Sequence, residues 1–158
     1  MRTFSLLKGL SVFDRHSGNI LGEVSDLCIT NDGKIKGLIM DGKGLFKRDR
    51  MIPLKNVFSF GRDGIMIDSQ LELLPVKNMK VTRYFHTHQG LHGKPLLTAE
   101  GEKLGLFEDV YFQEELGTII GYEVTDGFFA DITEGKKVIK TCEPLTIGKD
   151  VIVVNVKM

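Results

Sequence analysis

Cysteine, net charge and long apolar runs are all scarce in this sequence. Two cysteines among 158 residues, Cys28 and Cys142, cannot build a disulfide framework or a four-thiolate zinc site. The longest apolar runs are Leu38-Ile39-Met40 and Val151-Ile152-Val153-Val154. A membrane helix needs about 20 apolar residues, so a membrane span is not expected. The start, Met1-Arg2-Thr3-Phe4-Ser5-Leu6-Leu7-Lys8, lacks the apolar core of a secretory signal. Lys+Arg and Asp+Glu both number 21, for a net charge of zero. That balance argues against a generic nucleic-acid binder, which is usually basic. Hydrophobic residues at 42% and charged residues at 27% exclude the composition of disorder. A cytoplasmic globular chain is expected, long enough for one ordinary domain or two small ones.

The charge is unevenly placed. Residues 1–74 carry 11 basic and 9 acidic side chains, while residues 93–158 carry 7 and 12. Between them Lys77, Lys80 and Arg83 stand without an acid. Two units with different surfaces follow from this asymmetry. An internal repeat says the same. Gly18-Asn19-Ile20-Leu21-Gly22-Glu23-Val24-Ser25-Asp26 lies over Gly101-Glu102-Lys103-Leu104-Gly105-Leu106-Phe107-Glu108-Asp109 at a shift of 83. Gly9/Gly93, Gly33/Gly117 and Gly37/Gly121 follow at 84, Asp41-Gly42/Asp126-Gly127 at 85, and Pro53-Leu54/Pro144-Leu145 at 91. The boundaries read as a first copy at 1–74, a linker at 75–92 and a second copy at 93–158. Val81, Tyr84, Phe85 and Leu91 make the linker too apolar for a free tether, so it is expected to pack.

Within each copy the period is two. Val24, Leu27 and Ile29, then Asn31-Asp32-Gly33, then Ile35, Leu38 and Met40 read as a hairpin. Val110, Phe112, a Glu114–Gly117 turn, and Ile119, Ile120, Tyr122 and Val124 repeat it. Gly22 and Gly105 follow a leucine inside a strand pattern, which predicts a bulge or tight corner. No long stretch shows a helical stripe; a short helical turn fits after Pro53 or Pro144. The class is all-β, with two small antiparallel β-barrels in tandem. Each copy alone has a thin core, so packing the copies together adds stability.

These residues resemble the PRC-barrel family. The resemblance rests on Gly18–Asp26, Gly37-Leu38-Ile39-Met40 and Met51-Ile52-Pro53-Leu54, and on Gly101, Leu104-Gly105, Asp109, Gly121 and Pro144-Leu145 in the second copy. Known relatives include the cytoplasmic domain of the photosynthetic reaction centre H subunit. Another is the C-terminal domain of a ribosome maturation factor that docks on a small-subunit ribosomal protein. The resemblance implies six-stranded barrels used mainly for docking, with no shared catalytic residues and no cofactor. Tandem copies without another domain look like uncharacterised bacterial members of the family.

Several clusters invite chemistry. His86, His88 and His92 place three imidazoles in one loop, and imidazole suits zinc, copper or nickel. No nearby Cys, Asp or Glu completes a first shell, so no metal is assigned and these three stand as candidates only. Cys28 and Cys142 occupy non-equivalent positions with no visible base, as buried inert cysteines do. Asp26 and Asp109 are equivalent, which favours a structural role, accepting hydrogen bonds from a turn backbone. No catalytic residues are assigned, and no phosphate loop occurs.

Binding is expected in the segments where the copies differ, because loops diverge while folding holds the framework. Lys43, Lys47, Arg48 and Arg50 form a basic segment with an interleaved aromatic. It would steer towards acidic or phosphorylated surfaces, or bind single-stranded RNA. In the second copy Phe128 and Phe129 are adjacent, so a strand would turn one ring outward as an anchor. The expected function is a non-catalytic docking or adaptor protein with a protein partner. Alternatives are an RNA- or ribosome-associated accessory factor, and a small-ligand or metal-binding protein using the cleft between barrels and the histidine linker.

Overall fold

The computed structural model describes residues 2–30, 33–42, 49–68, 73–75, 83–85, 90–114, 117–125, 137–140 and 146–154. A two-residue strand, β1 (Arg2–Thr3), and one helical turn, α1 (Phe4–Leu7), come first. The first copy follows as β2 (Ser11–Asp14), β3 (Ile20–Ile29), β4 (Ile35–Gly42), β5 (Arg50–Pro53), β6 (Val57–Phe60) and β7 (Gly64–Ile67). A 3-10 turn at Leu54–Asn56 begins directly after Pro53, whose fixed φ suits the approach to a helical turn. Two short strands, β8 (Leu74–Pro75) and β9 (Arg83–Tyr84), lead to the second copy. It comprises β10 (Pro95–Thr98), β11 (Lys103–Phe112), β12 (Ile119–Thr125), β13 (Lys137–Lys140), β14 (Thr146–Ile147) and β15 (Ile152–Val154).

Each copy is a curled, barrel-like sheet. The first has the order β6-β7-β2-β3-β4-β5-β8 with β9 attached to β3, and the second β13-β12-β11-β10-β15-β14 with β1 attached to β11. The long strands pair with their sequence neighbours, β3 with β4 and β11 with β12, as antiparallel hairpins. One ladder in each copy is parallel, where the first strand of the curl meets the last: β2 on β7 and β10 on β15.

Both sheets bend at the same places. Register shifts leave Leu21 as the extra residue before Gly22, and Leu104 before Gly105. A second pair of shifts falls at Ser25 and Glu108. Such bulges bend a strand and increase its twist, which a small curled sheet requires. At Gly37 the constraint is close approach: a Cβ there would run into the carbonyl of Ile52 on β5.

The ladders revise the repeat alignment. Pro53 faces Gly37 and Lys140 faces Gly121. The counterpart of Pro53 is therefore Lys140, not Pro144, which lies outside the described residues. Asp41 likewise matches Thr125 rather than Asp126. From β5 onward the shift is constant, because Ile52/Ile139 and Ile65/Ile152 are both 87 apart. Gly61 and Gly148 then make the same turn, their N–H groups donating to Gly64 and Val151 at 2.9 and 3.0 Å. Two Pro-Leu pairs match in composition, but pairing register follows the ladder and the buried face.

A single apolar core runs through both sheets. Val24, Leu27, Leu38 and Ile52 of the first join Phe107, Val110, Tyr122 and Val124 of the second. Phe4, Leu7, Phe85 and Leu91 belong to the same cluster and are fully buried. Among the described residues, no helix is long and apolar enough to cross a membrane.

Candidate functional site

The two copies are joined by reciprocal exchange. Strand β1 precedes the first copy but pairs with the second, Arg2 opposite Phe112 and Thr3 opposite Tyr111. Strand β9 precedes the second copy but pairs with the first, Cys28 opposite Tyr84 and Ile29 opposite Arg83. Each lead-in then turns back to its own barrel by the same bonds. The Lys8 and His92 amides donate to the Phe4 and Phe85 carbonyls at 3.0 and 2.8 Å. Gly9 and Gly93, at φ 88° and 84°, next donate to Val24 and Phe107 at 2.8 and 2.7 Å. That left-handed backbone is open to glycine without a Cβ penalty.

Two aspartates fasten the exchange. Asp109 Oδ1 accepts from the Phe4, Ser5 and Val110 amides at 3.1, 3.3 and 2.8 Å. Asp26 Oδ1 accepts from the Phe85 and Leu27 amides at 3.0 and 2.8 Å. Their exposures of 5% and 1% mean that neither carboxylate has water as a ready substitute. The structural role expected of this pair holds: for Asp109 the donors include the helical turn α1, through Phe4 and Ser5, and for both aspartates they include the crossing segment and the next residue of the same strand. The bulges at Ser25 and Glu108 lie immediately before these aspartates, where a bulge re-aims the following side chain.

Phe4 and Phe85 are equivalent in the exchange and meet edge to face, 5.4 Å between centroids. Phe85 continues to Phe107 at 5.3 Å, and Phe107 to Tyr122 at 5.3 Å. These edge and tilted geometries suit the ring quadrupole. Burial pushes the Tyr122 hydroxyl well above its ordinary value of 10.0.

Beside this weld lies a cavity of about 470 Å³. Ser5 and Lys8 line it from the lead-in, His92 from the linker, and Glu108, Tyr111 and Glu123 from the second sheet. The Tyr111 hydroxyl donates to Glu123 Oε2 at 2.9 Å. His92 Nε2 lies 3.5 Å from Glu108 Oε2, and its ring packs against Phe85 at 5.7 Å. The register sets Glu108, Tyr111 and Glu123 over Ser25, Cys28 and Ile39 of the first copy. Cys28 and Ile39 are buried, so the same framework is filled with apolar atoms in one copy and polar in the other. Neither the cavity nor its three polar residues is apparent from the sequence alone. Setting the two copies side by side at these positions is the signal that finds them.

Of the candidate metal and partner-binding residues, His92 and Arg50 are described. His92 belongs to the junction, and no group of three or more His, Cys, Asp or Glu able to hold a metal occurs among the described residues. Arg50 is half-buried at the start of β5, with β4 on one side, opposite Met40, and β8 on the other, opposite Pro75. Cys28 is buried. His86, His88, Lys43, Lys47, Arg48, Phe128, Phe129 and Cys142 lie outside the described residues.

Two curled sheets of the same strand order, welded by exchanged strands, define a tandem barrel-like protein. The PRC-barrel domain model matches residues 1–74 and again 89–157. This chain belongs to the PRC-barrel family. It is similar to the uncharacterized protein YrrD of Bacillus subtilis (strain 168), with 31% identity over 158 residues, covering 98% of this chain and 88% of YrrD.

Proposed function

We propose that this chain is a non-catalytic docking protein, a rigid platform of two barrels that holds a protein partner. The observation that carries the reading is the reciprocal exchange. It joins both sheets through one core and engages the polar groups at the junction in the fold itself. Asp26 and Asp109 bind backbone amides, Glu123 accepts from Tyr111, and Glu108 faces His92. Asp26 and Asp109 serve the weld, while Glu123 and Glu108 are engaged within the second barrel. A platform of this kind keeps its outer surfaces at fixed mutual positions, so a partner loses little to reorganisation on binding. The test is affinity capture with the full chain from lysate of its source, with and without nuclease. A stoichiometric protein that survives nuclease is the expected result. Loss of all retained protein on nuclease treatment, or capture of none, overturns the reading.

A further inference from the structure

The first barrel carries a groove along the 3-10 turn and β6. Two depressions of about 500 and 350 Å³ share Leu54 and Lys55 as lining. Val57, Phe60, Met51 and Pro53 supply the remaining apolar wall. Phe58, also in the lining, is 61% exposed, and the Arg15 guanidinium stacks 3.6 Å from its ring centroid.

A singly exposed apolar side chain is ordinary, but three features set this one apart. Arg15 holds the ring in place, so an aromatic anchor is ordered before a partner arrives. The ring borders a concave apolar wall, the setting in which aromatic and arginine side chains dominate interfaces. The pair is also peculiar to the first copy. Ala99 follows Thr98 as Arg15 follows Asp14, and Thr98 and Asp14 hold equivalent ladder positions. Charge selects the occupant. Lys36 and Lys55 line the groove and Arg15 borders it, against Glu114 as the acidic side chain among its described lining. A nucleic acid would call for a longer basic stripe tracking phosphates, and the apolar wall fits a side chain instead.

We propose that this groove docks an extended acidic segment of a protein partner. Its aromatic or aliphatic side chain packs against Phe58, and flanking carboxylates meet Arg15, Lys36 and Lys55. This rests on the docking reading above and names the surface and the partner chemistry. The probe is a display library of random dodecapeptides panned against the full chain. Binding is then measured to Phe58→Ala and to Lys36→Glu with Lys55→Glu. All three side chains are exposed, so the fold should be retained, which circular dichroism checks. Should Phe58→Ala not fold, the charge-reversed pair decides alone.

Enrichment of Asp and Glu around an aromatic or aliphatic residue is expected, with at least about tenfold weaker binding to each variant and weakening with added salt. No enrichment, neutral or basic winners, or acidic peptides that bind both variants unchanged would overturn the proposal. So would an oligouridine that binds here and is lost on charge reversal. If the lysate partner stays with wild type and with both variants, the groove fails while docking stands. If wild type retains none, docking itself fails.

Discussion

Asp26 and Asp109 each tie one barrel to the segment that belongs to the other. Replacing either with Ala leaves buried amides without an acceptor, at about 1–3 kcal/mol for such groups. Asp109→Ala and Asp26→Ala are expected to cost comparable amounts, because each carboxylate accepts from the crossing segment and from the next amide of its own strand. Urea unfolding measures both, and a loss under about 0.5 kcal/mol, the scale of ordinary surface substitutions, would remove them from the weld. Tyr122 governs the alkaline limit. Burial raises the folded pKa of its hydroxyl above the unfolded value of 10.0. The neutral form is favoured on folding, so the contribution is fully present below pH 10.0 and is lost as pH climbs towards the folded value. Tyr122→Phe is expected to flatten the decline of melting temperature above that pH. An unchanged slope would show that another group sets the limit.

At the scale of elements, the short strands matter more than their length suggests. β1 contributes two residues, yet its ladder partner is the far end of β11. Removing residues 1–3 while keeping Phe4 should raise amide exchange at Tyr111 and Phe112, in the second copy. The ladder of β2, which follows directly in sequence, should stay protected, since it rests on β3 and β7. Equal loosening of β2 and β11 would contradict the exchange. Much of this level was legible beforehand. The period-two hairpins, the bulges at Gly22 and Gly105, and the turn after Pro53 follow from residue chemistry local to each strand. The helical turn α1 was not, because four residues give no periodicity to read. Pro53 matches Lys140 and not Pro144, because more residues separate β12 from β13 than β4 from β5, and a second Pro-Leu pair falls a few residues beyond the true register.

As a whole, the molecule has one core, not two that touch. Phe4, Leu7, Phe85 and Leu91 belong to it as fully as the strands do. Unfolding should therefore be a single cooperative transition. Probes placed separately in the two sheets should report the same midpoint in urea. Two resolved midpoints would mean that the barrels are independent and the exchange is incidental. Residues 1–75 and 76–158 expressed apart are each expected to lack a fold of their own and to regain structure on mixing, because each half carries the strand the other needs.

An all-β tandem repeat with paired aspartates in structural roles can be read directly along the chain. Alternation, turn residues and repeated glycines act within a few positions of one another, so they survive reading along a line. Which barrel each lead-in strand joins was decided only by the tertiary structure. So were the cavity at the junction and the stacking of Arg15 on Phe58. Phe4 and Asp109 stand 105 residues apart, and no local pattern records that they share a hydrogen bond. Strand pairing between distant segments is selected by what buries the most apolar surface once the sheets have curled, and that exists only in the folded whole.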